Sequence, residues 1–390
     1  MRQLDRNRLA AAFDRELARS PLPPGLRTQA VRATFEKRRE LAPQRQPWAL
    51  ALVAALLAVA VVAALALGIR ALQSIPARHG PPPSVPRLMD ATMAFDSAHG
   101  QMVLFGTASQ FPANPASAKG ETWVLQGGKW TELAPASSPR PRVFAGMAYD
   151  QARGQVVLFG GLPVEGDGSH LQDTWTWDGK TWTEQHPAFS PPACNGQILV
   201  YDAKLGQVVA LVDTCEGTTE TWTWNGTEWT PLHPTVTLPG PRFGSSAAYD
   251  AANGTIVVFS QQADGITWTF DGKTWARHAV VAGGPAGRDG ATMAFDPSSG
   301  KVVMFGGSVS RGQTFLSDTW LWDGTAWTQA NPGQSPEARD RAVAVTDTAA
   351  GRVVLYGGQF SQLTTYSDVW IWAHGSWTLA QPQPRRSSAP

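Results

Sequence analysis

The stretch that decides the fold is TWTWDGKTWTEQ, residues 174–185, which places three tryptophans around an Asp-Gly pair. Asp-Gly favours a two-residue turn between antiparallel strands, so the segment predicts a short hairpin. The stretch returns in related form along the chain. The copies begin at residues 122, 174, 221, 267, 319 and 369. Any explanation of the tryptophans in this stretch must therefore apply to all six copies.

Each copy belongs to a longer unit of about 50 residues, a period that indicates a propeller, solenoid or array. In the unit around residue 150, a first strand ends in Tyr149 and Asp150, and Gly154 follows in a tight loop. An apolar run, 156–159, is the second strand, and the tryptophan hairpin supplies the third and fourth. Six such four-stranded antiparallel sheets predict an all-β, six-bladed β-propeller over residues 88–380.

The tryptophans have a geometric explanation in this fold. Blades diverge toward the rim of a propeller, so the outer strands need the largest side chains to fill the gap between neighbouring sheets. Small residues such as Ala145, Gly146 and Ala342 stand in the first strand, where the blades converge. Sixteen of the 17 tryptophans lie in the repeats. We therefore expect the indoles to be structural.

The segment before the repeats has a different character. Residues 49–69 contain no charged side chain and are long enough to cross a bilayer as a helix. Eleven Lys or Arg precede them, against five Asp or Glu, which favours a cytoplasmic N-terminus and an extracytoplasmic propeller. The expected domains are a cytoplasmic helical basic segment (1–47), a single transmembrane helix (48–70), a Pro-rich stalk (71–87), the propeller (88–380) and a disordered tail (381–390).

Charge divides in the same way. Residues 1–79 carry 13 basic and five acidic side chains, whereas residues 80–390 carry 19 and 26. The acidic outer part lacks the positive surface of a nucleic-acid-binding protein, so nucleic acid is not an expected partner. The basic arm is better explained by membrane topology.

The only cysteines, Cys194 and Cys215, flank two strands that a hairpin would pair. Paired in this way, the two thiols lie almost opposite each other, within reach of a disulfide. An oxidising location outside the membrane favours a bridge, and two free buried thiols are the alternative.

At this point the repeats resemble the kelch-type propellers, including the central domain of galactose oxidase. The matching features are a Gly-Gly pair ending strand two and Asp-x-Trp starting strand three. They occur at Gly160-Gly161, Gly306-Gly307 and Gly357-Gly358, and at Asp173/Trp175, Asp318/Trp320 and Asp368/Trp370. The resemblance implies the fold but no single activity, because this family hosts unrelated functions. The tyrosine, histidine and cysteine pattern gives no basis for a copper site, so neither a metal nor another cofactor is expected.

Four arginines recur eight residues before the aspartate that ends strand one. They are Arg142, Arg242, Arg288 and Arg339. A ring of guanidinium groups at one mouth of the central channel could bind a carboxylate, a phosphate or an acidic glycan. The alternative is ion pairing between blades with acids at the start of strand three, such as Asp173.

The long loops between strands two and three vary from unit to unit and share a face with these arginines. The expected function is that of a membrane-anchored binding module that recognises a protein or a glycan through this face. A carbohydrate-active enzyme of galactose oxidase-like type is one alternative, and it would hold paired carboxylates or a metal within reach of the axis. A transmembrane sensor signalling through the N-terminal segment is the other.

Overall fold

The computed structural model describes residues 85–382 with short gaps. The gaps are 109–118, 167, 193, 195, 215–217, 239–243, 261–264, 281, 310–311 and 362–363. The expected cytoplasmic segment, the transmembrane helix, most of the stalk and nearly all of the tail lie outside the described residues. Among the residues that are described, no helix has the length and apolar character needed to cross a bilayer.

The described chain forms six four-stranded antiparallel sheets, each built from strands that follow one another along the sequence. Blade 1 contains β1 (Leu88–Asp96), β2 (Gln101–Ala108), β3 (Gly120–Gln126) and β4 (Lys129–Leu133). Blade 2 contains β6 (Gly146–Asp150), β7 (Gln155–Phe159), β9 (Thr174–Trp177) and β10 (Trp182–Gln185). Two short strands, β5 (Arg142–Val143) and β8 (Leu162–Pro163), pair with each other beside this blade. Blade 3 contains β11 (Gln197–Asp202), β12 (Gln207–Asp213), β13 (Thr219–Trp224) and β14 (Trp229–Leu232).

The second half of the ring repeats this plan. Blade 4 contains β15 (Ser246–Asp250), β16 (Thr255–Phe259), β17 (Thr267–Phe270) and β18 (Trp275–Arg277). Blade 5 contains β19 (Thr292–Asp296), β20 (Lys301–Phe305), β23 (Thr319–Trp322) and β24 (Trp327–Ala330), with a small ribbon of β21 (Ser308–Val309) and β22 (Thr314–Phe315) in its loop. Blade 6 contains β25 (Val343–Asp347), β26 (Arg352–Tyr356), β27 (Val369–Ala373) and β28 (Ser376–Gln381).

The innermost strands close a ring. Each strand one contacts strand one of both neighbouring blades, and β25 of blade 6 contacts β1 of blade 1. The expected six-bladed, all-β propeller is therefore confirmed. One side of the ring, the turn face, carries the short hairpin turns within blades. The other, the loop face, carries the loops between strands two and three and the links from one blade to the next.

Six apolar cores lie between the blades, one at each junction. At the junction of blades 1 and 2, for example, Val103 and Phe105 pack against Trp177 and Trp182. Among the described residues, seven tryptophans are the largest of the fully buried side chains. Small strand-one residues such as Ala148 are buried nearer the axis. The structural interpretation of the indoles is confirmed, since they fill the wedges between sheets.

A hydrogen bond also joins each of five neighbouring pairs of blades at these tryptophans. The indole N–H of the strand-four tryptophan donates to a threonine hydroxyl at the start of strand three in the preceding blade. The pairs are Trp182 to Thr122 (2.9 Å), Trp229 to Thr174 (2.8 Å), Trp275 to Thr221 (3.2 Å), Trp327 to Thr267 (2.8 Å) and Trp377 to Thr319 (2.9 Å). The threonine before each strand-three tryptophan is therefore part of the blade-to-blade contact.

The junction of blades 6 and 1, which we call the seam, lacks this bond. Val369 replaces the threonine, and the buried indole N–H of Trp130 has no hydrogen-bond partner in the described structure. Other contacts hold the seam together. The hydroxyl of Tyr356 donates to the carbonyl of Pro86 (2.7 Å), and the side-chain amide of Gln381 donates to the carbonyl of Gly128. The ring is thus closed by packing and side-chain bonds between whole blades.

Candidate functional site

Three of the four recurring arginines lie in buried ion pairs. The guanidinium of Arg142 donates to both carboxylate oxygens of Asp173, at 2.6 and 2.7 Å, and to the carbonyl of Gly160. The same arrangement repeats twice. Arg288 binds Asp318 at 2.6 and 3.0 Å, and Arg339 binds Asp368 at 2.6 and 3.0 Å.

These three side chains are almost completely buried and join strand one to strand three of a single blade. Burial alone would raise the pKa of Asp173, but the hydrogen bonds from Arg142 and the indole of Trp175 outweigh it and hold the pKa below its ordinary value. The geometry gives these arginines a structural role, as in the ion-pair alternative, although the pairs form within blades instead of between them. Arg242 lies outside the described residues, so its ligand-binding role stays a prediction.

The arginine pairs occur in the three blades that carry Gly-Gly at the end of strand two. In blade 2, Gly160 and Gly161 both have positive φ, 66° and 99°, a conformation that glycine adopts without strain. The chain then turns back so that Leu162 pairs with Val143, beside the arginine. The loops of the loop face therefore start from a rigid base in these blades.

A ring of six residues surrounds the axis on the loop face, and we call it the collar. Each member stands six positions before the aspartate that ends strand one, and each has a left-handed backbone. The members are Asp90 (φ 42°), Phe144 (60°), Gly196 (76°), Gly244 (97°), Gly290 (64°) and Arg341 (53°). Neighbouring members bond through the backbone, since the N–H of Gly290 donates to the carbonyl of Gly244 and that of Arg341 to Gly290.

The three non-glycine members belong to consecutive blades, 6, 1 and 2, and their side chains meet. Arg341 donates from Nη1 to Asp90 at 3.1 Å, and its guanidinium carbon lies 5.2 Å from the centre of the Phe144 ring. The side chain of Arg341 is 39% exposed, so the guanidinium remains accessible from the loop face. A left-handed backbone costs a residue with a side chain of the order of 1–3 kcal/mol, and such strain persists mainly at functional positions.

Two further carboxylates lie near this group. Burial raises the pKa of Asp90, Asp289 and Asp340 above the ordinary value for aspartate, and the positive charge of Arg341 acts in the opposite direction on all three. Ser308 donates to one oxygen of Asp340 at 2.9 Å, and a hydrogen bond from the side chain of Gln359 also acts to lower the pKa of Asp340. Among the described residues, the loop-face mouth thus combines the accessible cation of Arg341, the aromatic face of Phe144 and three carboxylates whose pKa values are raised.

These groups have the chemistry of a site for polar ligands. Carboxylates and guanidinium groups form hydrogen bonds with hydroxyls and anions, and an aromatic ring packs against an apolar face. A metal would need a tighter cluster. Within the described ranges, no group of three or more His, Cys, Asp or Glu side chains is arranged to hold a metal ion.

The axial channel opens on the turn face into a cavity of about 310 Å³. All six inner strands line it, with Phe95, Tyr149, Tyr201 and Tyr249 among the lining residues. Tyr149 accepts a hydrogen bond from the backbone of Ala98 in the preceding blade (3.1 Å). The three tyrosines of strand one are half-buried and line this cavity.

Cys194 is buried, whereas Cys215 lies outside the described residues. Strands β11 and β12 pair from Asp202 opposite Gln207 to Gln197 opposite Val212. Three more residues in the same register would place Cys194 opposite Cys215. The disulfide therefore stays a prediction.

The sequence contained a signal for the collar that the arginine pattern concealed. Six positions before each strand-one aspartate stands a residue that adopts positive φ, and in four units this residue follows the recurring arginine by two positions. Glycine fills the position in three units, and Asp90, Phe144 and Arg341 fill it in the others. A non-glycine residue at a position where other repeats require glycine marks a place where function outweighs backbone strain.

No protein-family model and no curated protein matches the chain. Solved structures match over the propeller. The structure of YjhT is 13% identical, with a TM-score of 0.55, and the match covers 78% of this chain and 99% of that one. The SapL1 lectin in complex with alpha methyl fucoside is 14% identical, with a TM-score of 0.51, over 78% and 98% of the two chains. At these identities the likeness supports the six-bladed fold alone.

Proposed function

We propose that the propeller is a glycan-binding module and that the ligand binds at the loop-face mouth. The observation that carries the proposal is the meeting of Arg341, Asp90 and Phe144 at strained collar positions. A sugar presents hydroxyl groups at its edge and C–H groups on its face. The carboxylate and guanidinium suit the hydroxyls, and the Phe144 ring suits the C–H face.

The surroundings of the collar support the same proposal. The loops between strands two and three lie on this face and differ in length and composition from blade to blade, as expected for a surface that selects its ligand. The exposed guanidinium of Arg341 favours a glycan that carries a carboxylate or another anionic group. A lectin is among the structural neighbours.

The test is a glycan array probed with the purified full-length chain, followed by titration of the best ligand. Arg341→Ala and Phe144→Ala should each weaken binding at least about tenfold, because each removes one of the three ligand-facing groups. Arg277→Ala is the matched control, since Arg277 is an exposed arginine on the outermost strand of blade 4. Binding that survives both collar substitutions would refute the site.

The collar glycines offer a second pair of variants. Phe144→Gly and Arg341→Gly copy what Gly244 and Gly290 do in other blades, and they relieve the left-handed strain. Both should abolish binding while the free energy of unfolding falls by no more than about 1 kcal/mol, because the strain relief offsets the lost side-chain contacts. A large loss of stability in both would give the collar side chains a structural role instead.

A carbohydrate-active enzyme is the second candidate, and the carboxylates at the mouth favour it. Asp90, Asp289 and Asp340 have raised pKa values, which is the behaviour of groups that donate or accept protons in catalysis. Incubation of the bound glycan with the protein, followed by mass spectrometry and NMR of the sugar, distinguishes the candidates. Conversion that Asp340→Asn abolishes without loss of binding would establish the enzyme.

We also propose that the propeller is of the kelch type. The support is the repeated association of Gly-Gly, the buried arginine and the strand-three aspartate in blades 2, 5 and 6. In each of these blades the arginine binds both the first glycine carbonyl and the aspartate. Homologous sequences in which these residues are retained or lost together would support this assignment, and independent variation of the three positions would contradict it.

Membrane anchoring is proposed on the sequence alone. The apolar run 49–69 and the basic residues before it support a single-pass protein with a cytoplasmic N-terminus and an extracytoplasmic propeller. Protease added on the extracytoplasmic side of the membrane should digest the propeller and leave an N-terminal tag intact on the cytoplasmic side. Release of the chain from membranes by high salt or carbonate would contradict the anchor.

A further inference from the structure

Five of the six blade junctions are filled on the turn face by one side chain. The strand-one hairpin of each blade places a residue against the strand-three turn of the next blade. The contacts are His99 against Gly179, Arg153 against Gly226, Leu205 against Gly272, Asn253 against Gly324, and Ser298, whose hydroxyl accepts from the N–H of His374. Each of these turns therefore rests on its neighbour.

The seam differs at the corresponding position. Ala350 stands where four of the other hairpins carry His, Arg, Leu or Asn and the hairpin of blade 5 carries Ser299, and the facing turn of blade 1 is Gly127-Gly128. A side chain added at either glycine would meet no atom within 4 Å. Because a methyl group cannot reach this turn, the sixth junction is left unfilled.

The result is a cavity of about 310 Å³ between blades 6 and 1 on the turn face. Its apolar wall includes Met102, Leu125, Val354 and Ile371. A volume of about 300 Å³ is at the lower end of the range for small-molecule sites. The cavity is separate from the loop-face mouth, which lies at the opposite end of the strands.

Polar groups stand at the edge of this apolar space. Arg352 lines the cavity, donates from Nε to Asp347 at 3.0 Å and has a side chain that is 39% exposed. Its ion pair with Asp347 uses Nε, so the two Nη groups remain as further hydrogen-bond donors of the guanidinium. The side-chain oxygen of Gln381, a second lining residue, is buried without a hydrogen-bond partner. An apolar pocket with a guanidinium at its edge suits a ligand with an apolar body and an acidic head, and the unpaired oxygen of Gln381 leaves room for a hydrogen-bond donor beside it.

We propose that the seam cavity binds a small amphipathic carboxylic acid. The apolar body lies between Leu125 and Val354, and the carboxylate accepts hydrogen bonds from the Nη groups of Arg352. The size of the cavity limits the body to roughly one aromatic ring or a short alkyl chain. This site does not depend on glycan binding at the loop face.

The experiment is a calorimetric titration of the full-length chain with 3-phenylpropionate, and with 3-phenylpropionamide as the neutral counterpart. The acid should bind saturably and at least about tenfold more tightly than the amide. Ala350→Leu, which copies Leu205 at the junction of blades 3 and 4, should fill the cavity and weaken binding of both compounds more than tenfold. Arg352→Gln should bring the affinity for the acid down to that for the amide and leave the amide unaffected.

Folding of each variant is checked by its thermal unfolding midpoint. Ala350→Asn, which copies Asn253 at the junction of blades 4 and 5, is a smaller filler that should give an intermediate loss, and Arg277→Gln is the matched arginine control. The proposal is overturned by the absence of saturable binding, by equal binding of acid and amide to the native chain, or by native-like affinity in a folded Ala350→Leu variant.

Discussion

Val369→Thr should stabilise the propeller by supplying the hydrogen bond that the seam lacks. Five junctions have a threonine hydroxyl that accepts from a tryptophan indole at 2.8–3.2 Å, and at the seam the buried indole of Trp130 has no partner. A buried donor without a partner costs about 1–3 kcal/mol. Replacing a buried methyl group with a hydroxyl costs about 1 kcal/mol of this gain, so a net increase of about 1 kcal/mol is expected.

Thr319→Val is the reverse change at a normal junction and serves as the matched variant. It leaves the indole of Trp377 without its acceptor, so the free energy of unfolding should fall by about 1 kcal/mol. Urea unfolding followed by tryptophan fluorescence measures both effects. Thermal midpoints should move by roughly 2 °C in opposite directions.

The double variant that combines Val369→Thr with Trp130→Phe separates the effect of the hydrogen bond from other effects of the hydroxyl. In a Trp130→Phe background there is no indole N–H to satisfy, so Val369→Thr should bring no gain and instead show the cost of the buried hydroxyl. A stabilisation of equal size in both backgrounds would refute the reasoning, as would a Val369→Thr protein less stable than the native chain.

Three other substitutions test the remaining inferences. Burial holds the pKa of Asp340 above its ordinary value, so ionisation of this carboxyl destabilises the folded state. Stability should rise as the pH falls through the raised pKa toward the ordinary value of aspartate. Asp340→Asn should be more stable at neutral pH and lose that part of the pH dependence, as measured by unfolding midpoints across the acidic range. Arg288→Met leaves Asp318 as an unpaired, mostly buried charge and should lower the free energy of unfolding by about 3–5 kcal/mol in urea titrations, whereas the control Arg277→Met should change it by less than about 0.5 kcal/mol. Peptide mapping of the native chain without reductant should detect a disulfide between Cys194 and Cys215, and Cys194→Ser should remove it. Two free thiols in the oxidised native protein would contradict the bridge.

The fold could be read from the sequence because its causes are local and repeated. Asp-Gly or Asn-Gly turns in four units, a glycine four positions after each strand-one aspartate, and a strand-four tryptophan in all six units mark the blades without reference to one another. In the structure, Gly154 has φ 68° and donates to the carbonyl of Asp150 at 2.8 Å, as the turn chemistry requires. Six agreeing copies then leave a closed ring as the arrangement that covers every apolar face.

The site was harder to predict because it depends on which side chains meet across blades. A recurring arginine indicates a shared role, and the structure gives the described arginines the shared role of an ion pair with Asp173, Asp318 or Asp368. Arg341 stands two residues after one of them and occurs once. Its meeting with Asp90, 251 residues away, follows only from closure of the ring.

The six repeats act as controls for one another, and this is the strongest reason to look for function where one of them departs from the rest. A structural requirement of the propeller applies to every blade, so a departure that costs stability needs a local explanation. The collar residues Asp90 and Arg341 and the seam residues Val369 and Ala350 all belong to blades 6 and 1. The first pair carries backbone strain, and the second leaves an unpaired donor and an unfilled cavity. If the seam were only an imperfect closure, repairing it with Val369→Thr and Ala350→Leu would improve the protein in every respect; if the cavity binds a ligand, the repaired protein gains stability and loses that ligand.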